Sequence, residues 1–316
     1  DAAAFAVLVG RGASLPRRTA AWFWLAYIVL LGPVGLYRLE AVTVALGIVG
    51  CLWLVGRPWA ASMLLAVATW IKVWPAALLA AAVIAVRRRG AIVGGAAVVS
   101  VLTLGAVALA GGAGNVFGFI DEQTTRGLQV EAPIATPYLW GALLGQRGFA
   151  VSYSFELLTF QVTGTEIDTV IAAMTPALVL AMAAVAALGV VKAARGIGFA
   201  ALFPPLSLAL VLGFIVFNKV GSPQYLAWLV PSLVIGIVVR RRVWAGPAIL
   251  ALVAALLTQL VYPLLYAGIL TPEPVSVTVL TLRNLVVCAL FVWMVVRVAR
   301  LPAPAVSYTH LTLPTK

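Results

Sequence analysis

In the stretch FNKVGSPQYLAW, residues 217–228, a lysine, an amide and a phenol stand between two long apolar runs. Lys219 offers a compact positive charge, Gln224 both donors and an acceptor, and Tyr225 a hydroxyl on an aromatic body. Together these groups suit recognition of a sugar or a phosphate ester. On an α-helix Gln224 and Trp228, four apart, share a face, as do Tyr225 and Trp228, three apart. The bland alternative is a chain-reversing turn with aromatic residues at a membrane interface. Gly221 and Pro223 suit either reading, closing one helix and opening the next.

Three more stretches put charge among apolar residues. In ATWIKVWPAALL, 68–79, Lys72 lies between Trp70 and Trp74. An ammonium in hydrocarbon must snorkel to the headgroups or meet an anion, such as a substrate phosphate. In TTRGLQVEAPIATPYLW, 124–140, Arg126 has the fork that grips phosphate, and Glu131 is a candidate base or a salt-bridge partner. Taken singly, Arg126, Gln129 and Glu131 read as a solvated loop face. In LYRLEAV, 36–42, Arg38 and Glu40 read as an interfacial pair at a tight turn, with a catalytic Glu40 as the alternative. The sequence has no phosphate-binding glycine loop, dinucleotide fingerprint or zinc-ligand cluster, so neither a cofactor nor a metal is expected. Its single histidine is His310.

These residues need elements to hold them. Of 316 residues, 64% are hydrophobic and 9% charged, and the mean hydropathy is +1.12. A soluble domain cannot bury that much apolar surface, so a lipid bilayer is the expected solvent. The net charge of +12 is scattered between apolar runs, not gathered on a polar face, which excludes a nucleic-acid binder. Apolar runs lie at about 19–37, 41–56, 58–71, 73–86, 91–111, 169–191, 197–217, 221–239, 243–268 and 284–300. The expected fold is an all-α polytopic bundle of about ten spans, plus a partial helix over 1–10. The short runs within 58–86 are either two tilted spans or a re-entrant hairpin broken around Lys72 and Pro75. Pro204 and Pro205 should kink the span that contains them.

Alternating the spans puts Arg11, Arg17, Arg18, Arg57, Arg87 to Arg89, Lys192, Arg195, Arg240 to Arg242, Arg297 and Arg300 on one side, with no acid among them. Glu40, Asp121, Glu122, Glu131, Glu156, Glu166, Asp168 and Glu273 fall on the other, with Arg38, Lys72, Arg126, Arg147, Lys219 and Arg283. The positive-inside rule makes the first side cytoplasmic. The expected location is a plasma membrane, with every candidate base outside.

One connection is long. Residues 112–168 form an outer loop that keeps Phe117, Phe119, Tyr138, Trp140, Phe149, Tyr153 and Phe155, and so should be ordered. TPYLWGALLG, 136–145, fits a short interfacial helix. Cys51 and Cys288 sit inside apolar runs and read as core thiols rather than a disulfide. Gly90 and Gly94 match a small-xxx-small packing pattern. Residues 1–306 read as one domain. The tail 307–316, in VSYTHLTLPTK, resembles translated adapter sequence.

Three stretches occur together in one family: RLEAVTVALGIVGCLWLVGRPWAASMLLAVATWIKVWPAALL, RGLQVEAPIATPYLW and NKVGSPQYLAWLVP. They resemble the actinobacterial integral-membrane glycosyltransferases of family 87, which include polyprenol-phosphate-mannose-dependent α-mannosyltransferases. The resemblance implies a GT-C fold, a polyprenyl-phosphate sugar donor, and a glycolipid or glycan acceptor on the outer face. It also implies attack by an acceptor hydroxyl with inversion, aided by an Asp in the first outer loop. That Asp is expected to precede residue 1, so this stretch alone is expected to be inactive. Glu40 stands where relatives are expected to carry Asp. The likeness leaves Lys72, Arg126 and Lys219 for the donor phosphate, with Gln224 and Tyr225 beside it. A transporter or flippase for lipid-linked sugars, and a non-catalytic membrane subunit, remain the other readings.

Overall fold

The computed structural model describes residues 1–10, 12–116, 118 and 126–302. Arg11, Phe117, Phe119, Asp121, Glu122, Thr124 and Thr125, and the tail with His310, lie outside the described residues.

The described chain is mostly helical. Helices α1 (Ala2–Val9), α2 (Leu15–Leu31), α3 (Glu40–Trp53), α4 (Pro58–Ile71), α5 (Ala76–Ala85) and α6 (Arg89–Leu109) fill the first third. After a long connection come α8 (Ile167–Ala194), α9 (Phe199–Val216), α10 (Val230–Arg240), α11 (Ala245–Gln259) and α12 (Pro274–Ala299), with α7 (Thr136–Leu143) inside that connection. Every apolar run holds a helix. Among the described residues six helical stretches, one of them the continuous Pro223–Leu264, are long and apolar enough to cross a membrane. These six fall short of the expected ten, although Pro223–Leu264, with 42 residues, is long enough to cross twice. Helices α3, α4 and α5 have 14, 14 and 10 residues. At about 1.5 Å per residue they fall short of a hydrocarbon layer of about 30 Å.

The region 58–86 is two helices. They part at Lys72, whose backbone is extended (φ −155°, ψ 138°), and α5 begins after Pro75. Two other boundaries differ from expectation. The run 243–268 breaks after Gln259 into a π turn, Leu260–Leu264, with a cis Tyr262–Pro263 bond. The last helix starts at Pro274, not near 284, and so carries Arg283 inside it rather than in a loop.

Helix α9 is the centre of the bundle. From Leu202 to Gly213 every residue is buried, as expected of a helix apolar all round. It packs against α5, α8, α10 and α12. The pair Pro204–Pro205 lies within it without ending it, and Ser207 Oγ donates to the Pro204 carbonyl at 3.1 Å. By contrast, α6 and α8 turn much of their apolar surface outward, with Val179 and Leu180 exposed. Such a surface suits lipid, not water. Between α4 and α6 the close approach uses Gly94 against Trp59 and Gly95 against Ser62, whereas Gly90 faces open space. Both cysteines are free thiols.

The long connection is not purely helical or irregular. Strands β1 (Ala150–Ser154) and β2 (Thr159–Thr163) pair antiparallel, with Ala150 opposite Thr163 and Ser154 opposite Thr159. Leu128–Val130 lies along β2: the Val130 N–H donates to the Phe160 carbonyl at 3.1 Å, and the Val162 N–H to the Leu128 carbonyl at 3.0 Å. Leu128, Val130, Tyr138, Leu139 and Val162 form a second core with Val261, Ile269 and Leu280. Helix α7 docks on α12, where Trp140 Nε1 donates to Thr281 Oγ1 at 2.9 Å, rather than floating free.

The basic segments collect at one end of the bundle. Residues 54–56, 84–89 and 196–199 surround one cavity, and Arg57 and Arg88 border another. Lys192 Nζ donates to the carbonyls of Ala299 (2.5 Å) and Leu301 (3.0 Å). Arg297 lies 4.6 Å from the Trp244 ring centroid. Glu40 begins α3 and residues 219–221 follow α9, so both stand at the opposite end of those helices.

Candidate functional site

Glu40 is the first residue of α3 and is buried, yet it is ionically paired. Its partner is Lys72, whose side chain is 29% exposed against 2% for Glu40. The pairing of Glu40 with Arg38 expected from sequence does not form; Arg38 is exposed. The extended break after α4 brings Lys72 against the start of α3, which makes the closer pair.

Lys72 Nζ also lies 5.6 Å from the centroid of the Tyr225 ring. At that range a cation is attracted to the ring face. Tyr225 stacks on Trp228 (4.0 Å between centroids), and Trp228 on Trp74 (5.7 Å). Trp74 Nε1 donates to Thr43 Oγ1 at 3.1 Å, which ties the stack to α3. Residues Pro223–Leu229 are 3₁₀, not α. With three residues per turn, Tyr225 and Trp228 eclipse, while Gln224 is about a third of a turn from Trp228. The expected shared face of Gln224 and Trp228 is therefore wrong, and Gln224 is half-buried.

The second half of the site is a polar network under the long connection. The Gln129 N–H donates to the Lys219 carbonyl at 3.0 Å, and the Gly221 N–H to Gln129 Oε1 at 3.3 Å. Arg283 Nη2 donates to the Gly221 carbonyl at 3.1 Å, and its Nη1 to Asn284 Oδ1 at 2.9 Å. Asn284 Nδ2 reaches Thr136 Oγ1 at 2.9 Å. Gly221 passes so close to the Glu131–Ala132 backbone that a Cβ there would overlap it. Gln129 and Glu131 are thus buried, and the solvated-face reading of this stretch does not hold for them.

Glu131 shows what burial does to charge. Tyr266 donates its hydroxyl to Glu131 Oε1 at 2.8 Å, while Oε2 is buried with no hydrogen-bond partner among the described residues. Desolvation raises the Glu131 carboxyl above the usual range. The Tyr266 bond, the Glu131 backbone N–H, the Arg283 charge and the Gln129 amide, in that order, pull it back only in part. Burial, then the Glu131 charge, raises the Tyr266 phenol. Lys219, also buried, has its ammonium depressed by desolvation and then by repulsion from Arg126. The charges of Arg126, Glu40 and Glu131 all reach Tyr225. Lys72 thus contacts both Glu40 and Tyr225, and Lys219 and Glu131 join the same turn through Gln129 and Gly221, with the Arg126 charge felt at Lys219 and Tyr225.

Such a centre can hold an anion through several cations, and has one carboxylate with an oxygen to accept a proton. No three His, Cys, Asp or Glu side chains come together as a metal site among the described residues. The residues sequence reasoning passed over are Arg283, Asn284, Thr136 and Tyr266. Arg283 had a legible signal, a charge inside an apolar stretch; Tyr266 had none, because the turn that delivers it is irregular. No protein-family model, curated protein or solved structure matches the chain.

Proposed function

We propose that the chain is a membrane glycosyltransferase. It moves a sugar, mannose by the family likeness, from a polyprenyl-phosphate donor to a hydroxyl of an envelope glycolipid or glycan at the non-cytoplasmic face. The observation that carries this reading is geometric: Lys72, paired with Glu40, lies over the Tyr225 ring, and the turn before Tyr225 carries Lys219 against the Gln129–Glu131 segment, at one end of an apolar bundle. The orientation rests on the acid-free basic segments at the other end.

In the transfer, the acceptor hydroxyl forms a bond to the anomeric carbon as the bond from that carbon to the phosphate oxygen breaks. The bonding pair leaves with polyprenyl phosphate, which gains negative charge. Lys72, Arg126 and Lys219 stabilise that growing charge more than the bound donor, which is how cations accelerate the step. The acceptor proton goes to a carboxylate. The family likeness places that carboxylate on an Asp ahead of residue 1; within the stretch itself Glu131 is the alternative, better suited than Glu40, which Lys72 already occupies. Tyr225 and Gln224 offer contacts to the sugar.

The test is incorporation of labelled mannose from polyprenyl-phosphate mannose in membranes bearing the protein, Lys219→Ala or Arg126→Ala. Each substitution should cut donor use without altering insertion. Unchanged incorporation in both removes the phosphate site. Movement of the lipid-linked sugar across the bilayer without transfer would instead make the protein a transporter.

A further inference from the structure

At the end opposite the proposed active centre, a cavity of about 470 Å³ opens between residues 54–56, 84–89 and 196–199. Its volume lies in the range of small-molecule sites. Arg87, Arg88 and Arg89 line it, and no acidic residue does. The rest of the wall is largely apolar and includes Ile84, Ile197 and Phe199. A second cavity of about 320 Å³ shares Arg88 and adds Arg57. The three arginines of the triplet are exposed, and none has a salt bridge among the described residues. Guanidinium groups left without a carboxylate beside an apolar wall match one ligand chemistry, a phosphate that carries hydrocarbon.

We infer that this cavity holds the phosphate of an anionic phospholipid in the arginine triplet, with acyl chain along Ile84, Ile197 and Phe199. The interaction goes beyond the transferase reading and needs only that the bundle sit in a membrane. Binding there would bridge the α3–α4 turn, the α5–α6 turn and the start of α9, and so brace the central helix from the side away from the active centre.

The cavity-lining Gly198 allows a test that leaves every charge in place. A Cβ at Gly198 meets nothing within 4 Å, and its φ of −74° accepts any side chain. Gly198→Phe therefore adds bulk at the cavity wall without backbone strain. The protein is purified and given phosphatidylglycerol in phosphatidylcholine nanodiscs, and lipid retained on extraction is counted by native mass spectrometry. Phosphatidylglycerol should be retained selectively. The Arg87→Gln/Arg88→Gln/Arg89→Gln variant and Gly198→Phe should each weaken retention about tenfold or more. The Arg240→Gln/Arg241→Gln/Arg242→Gln variant, which removes equal charge from the same end, should retain it normally. Equal loss in that control means diffuse attraction and overturns the site, as does normal retention in Gly198→Phe. Inorganic phosphate should not compete; full competition would make this a free-phosphate site and overturn the lipid assignment. Melting in pure phosphatidylcholine checks folding, and if the triple variant does not fold, Arg88→Gln and Gly198→Phe carry the test.

Discussion

Arg283 Nη2 donates to the backbone carbonyl of Gly221 at 3.1 Å, joining the middle of the last helix to the turn after the central one. The same guanidinium holds Asn284, which holds Thr136. A buried fork of donors is thus the clamp on the loop that presents Lys219. Arg283→Met leaves the Gly221 carbonyl without this partner and removes a charge facing Glu131. It should cost roughly 3 kcal/mol in unfolding experiments in detergent. Arg283→Lys keeps the charge but not the fork, and should raise the donor KM more than it lowers kcat. Equal stability in both variants and the parent would mean the clamp is idle.

Gly221 tests the same junction from the other side. A methyl group there overlaps the Glu131–Ala132 backbone, which cannot swing away as a side chain does. Gly221→Ala should lower stability by about 1–3 kcal/mol and depress donor use, because the Lys219 turn is pushed off Gln129. Gly198→Ala, whose Cβ meets open space, is the matched control. Identical melting of the two alanine variants would sink this account.

The Glu40–Lys72 pair is asymmetric in exposure, 2% against 29%. Breaking it from the lysine side strands a buried carboxylate; breaking it from the glutamate side leaves an ammonium that can reach solvent. Lys72→Met should therefore destabilise more than Glu40→Gln, by roughly 1–3 kcal/mol, less than for a fully buried pair. The double variant should recover part of that loss. Thermal unfolding of all four proteins measures the coupling, and strict additivity would show none.

Sequence reading located the helices because long apolar runs leave little choice in lipid. It singled out Lys72, Lys219 and Glu131 for the same reason, since charge in such surroundings needs a cause. Partners were not legible. Glu40 looked paired with Arg38, two residues away, whereas a helix break delivers Lys72 from farther along the chain. Gln129 and Glu131 looked solvated because their roof, the β1–β2 hairpin and α7, is built from residues whose alternation in YSFELLTFQVT is short. The 3₁₀ turn at Pro223–Leu229 also escaped, because a short run of i→i+3 rather than i→i+4 hydrogen bonds leaves no mark in the residue types. Arg283 was assigned to a loop because the last apolar run was started too late.

Glu131 makes a pH prediction with a fixed sign. Its carboxyl titrates above the usual range because burial disfavours the charge. As a base it must be ionised, so transfer should be weak in acid and rise with pH through this elevated pKa. Stability runs the other way. A raised folded-state pKa contributes stability in full below the unfolded value, and that contribution is lost as pH climbs through the folded one. Tyr266 donates to Glu131 Oε1 and favours the ionised form. Tyr266→Phe should therefore push the carboxyl higher still and move the acidic limb of the rate profile to higher pH. Glu131→Gln should lower kcat about a hundredfold or more at every pH and abolish that limb. A rate profile whose acidic limb does not move in Tyr266→Phe, or persists in Glu131→Gln, would assign the proton to another group.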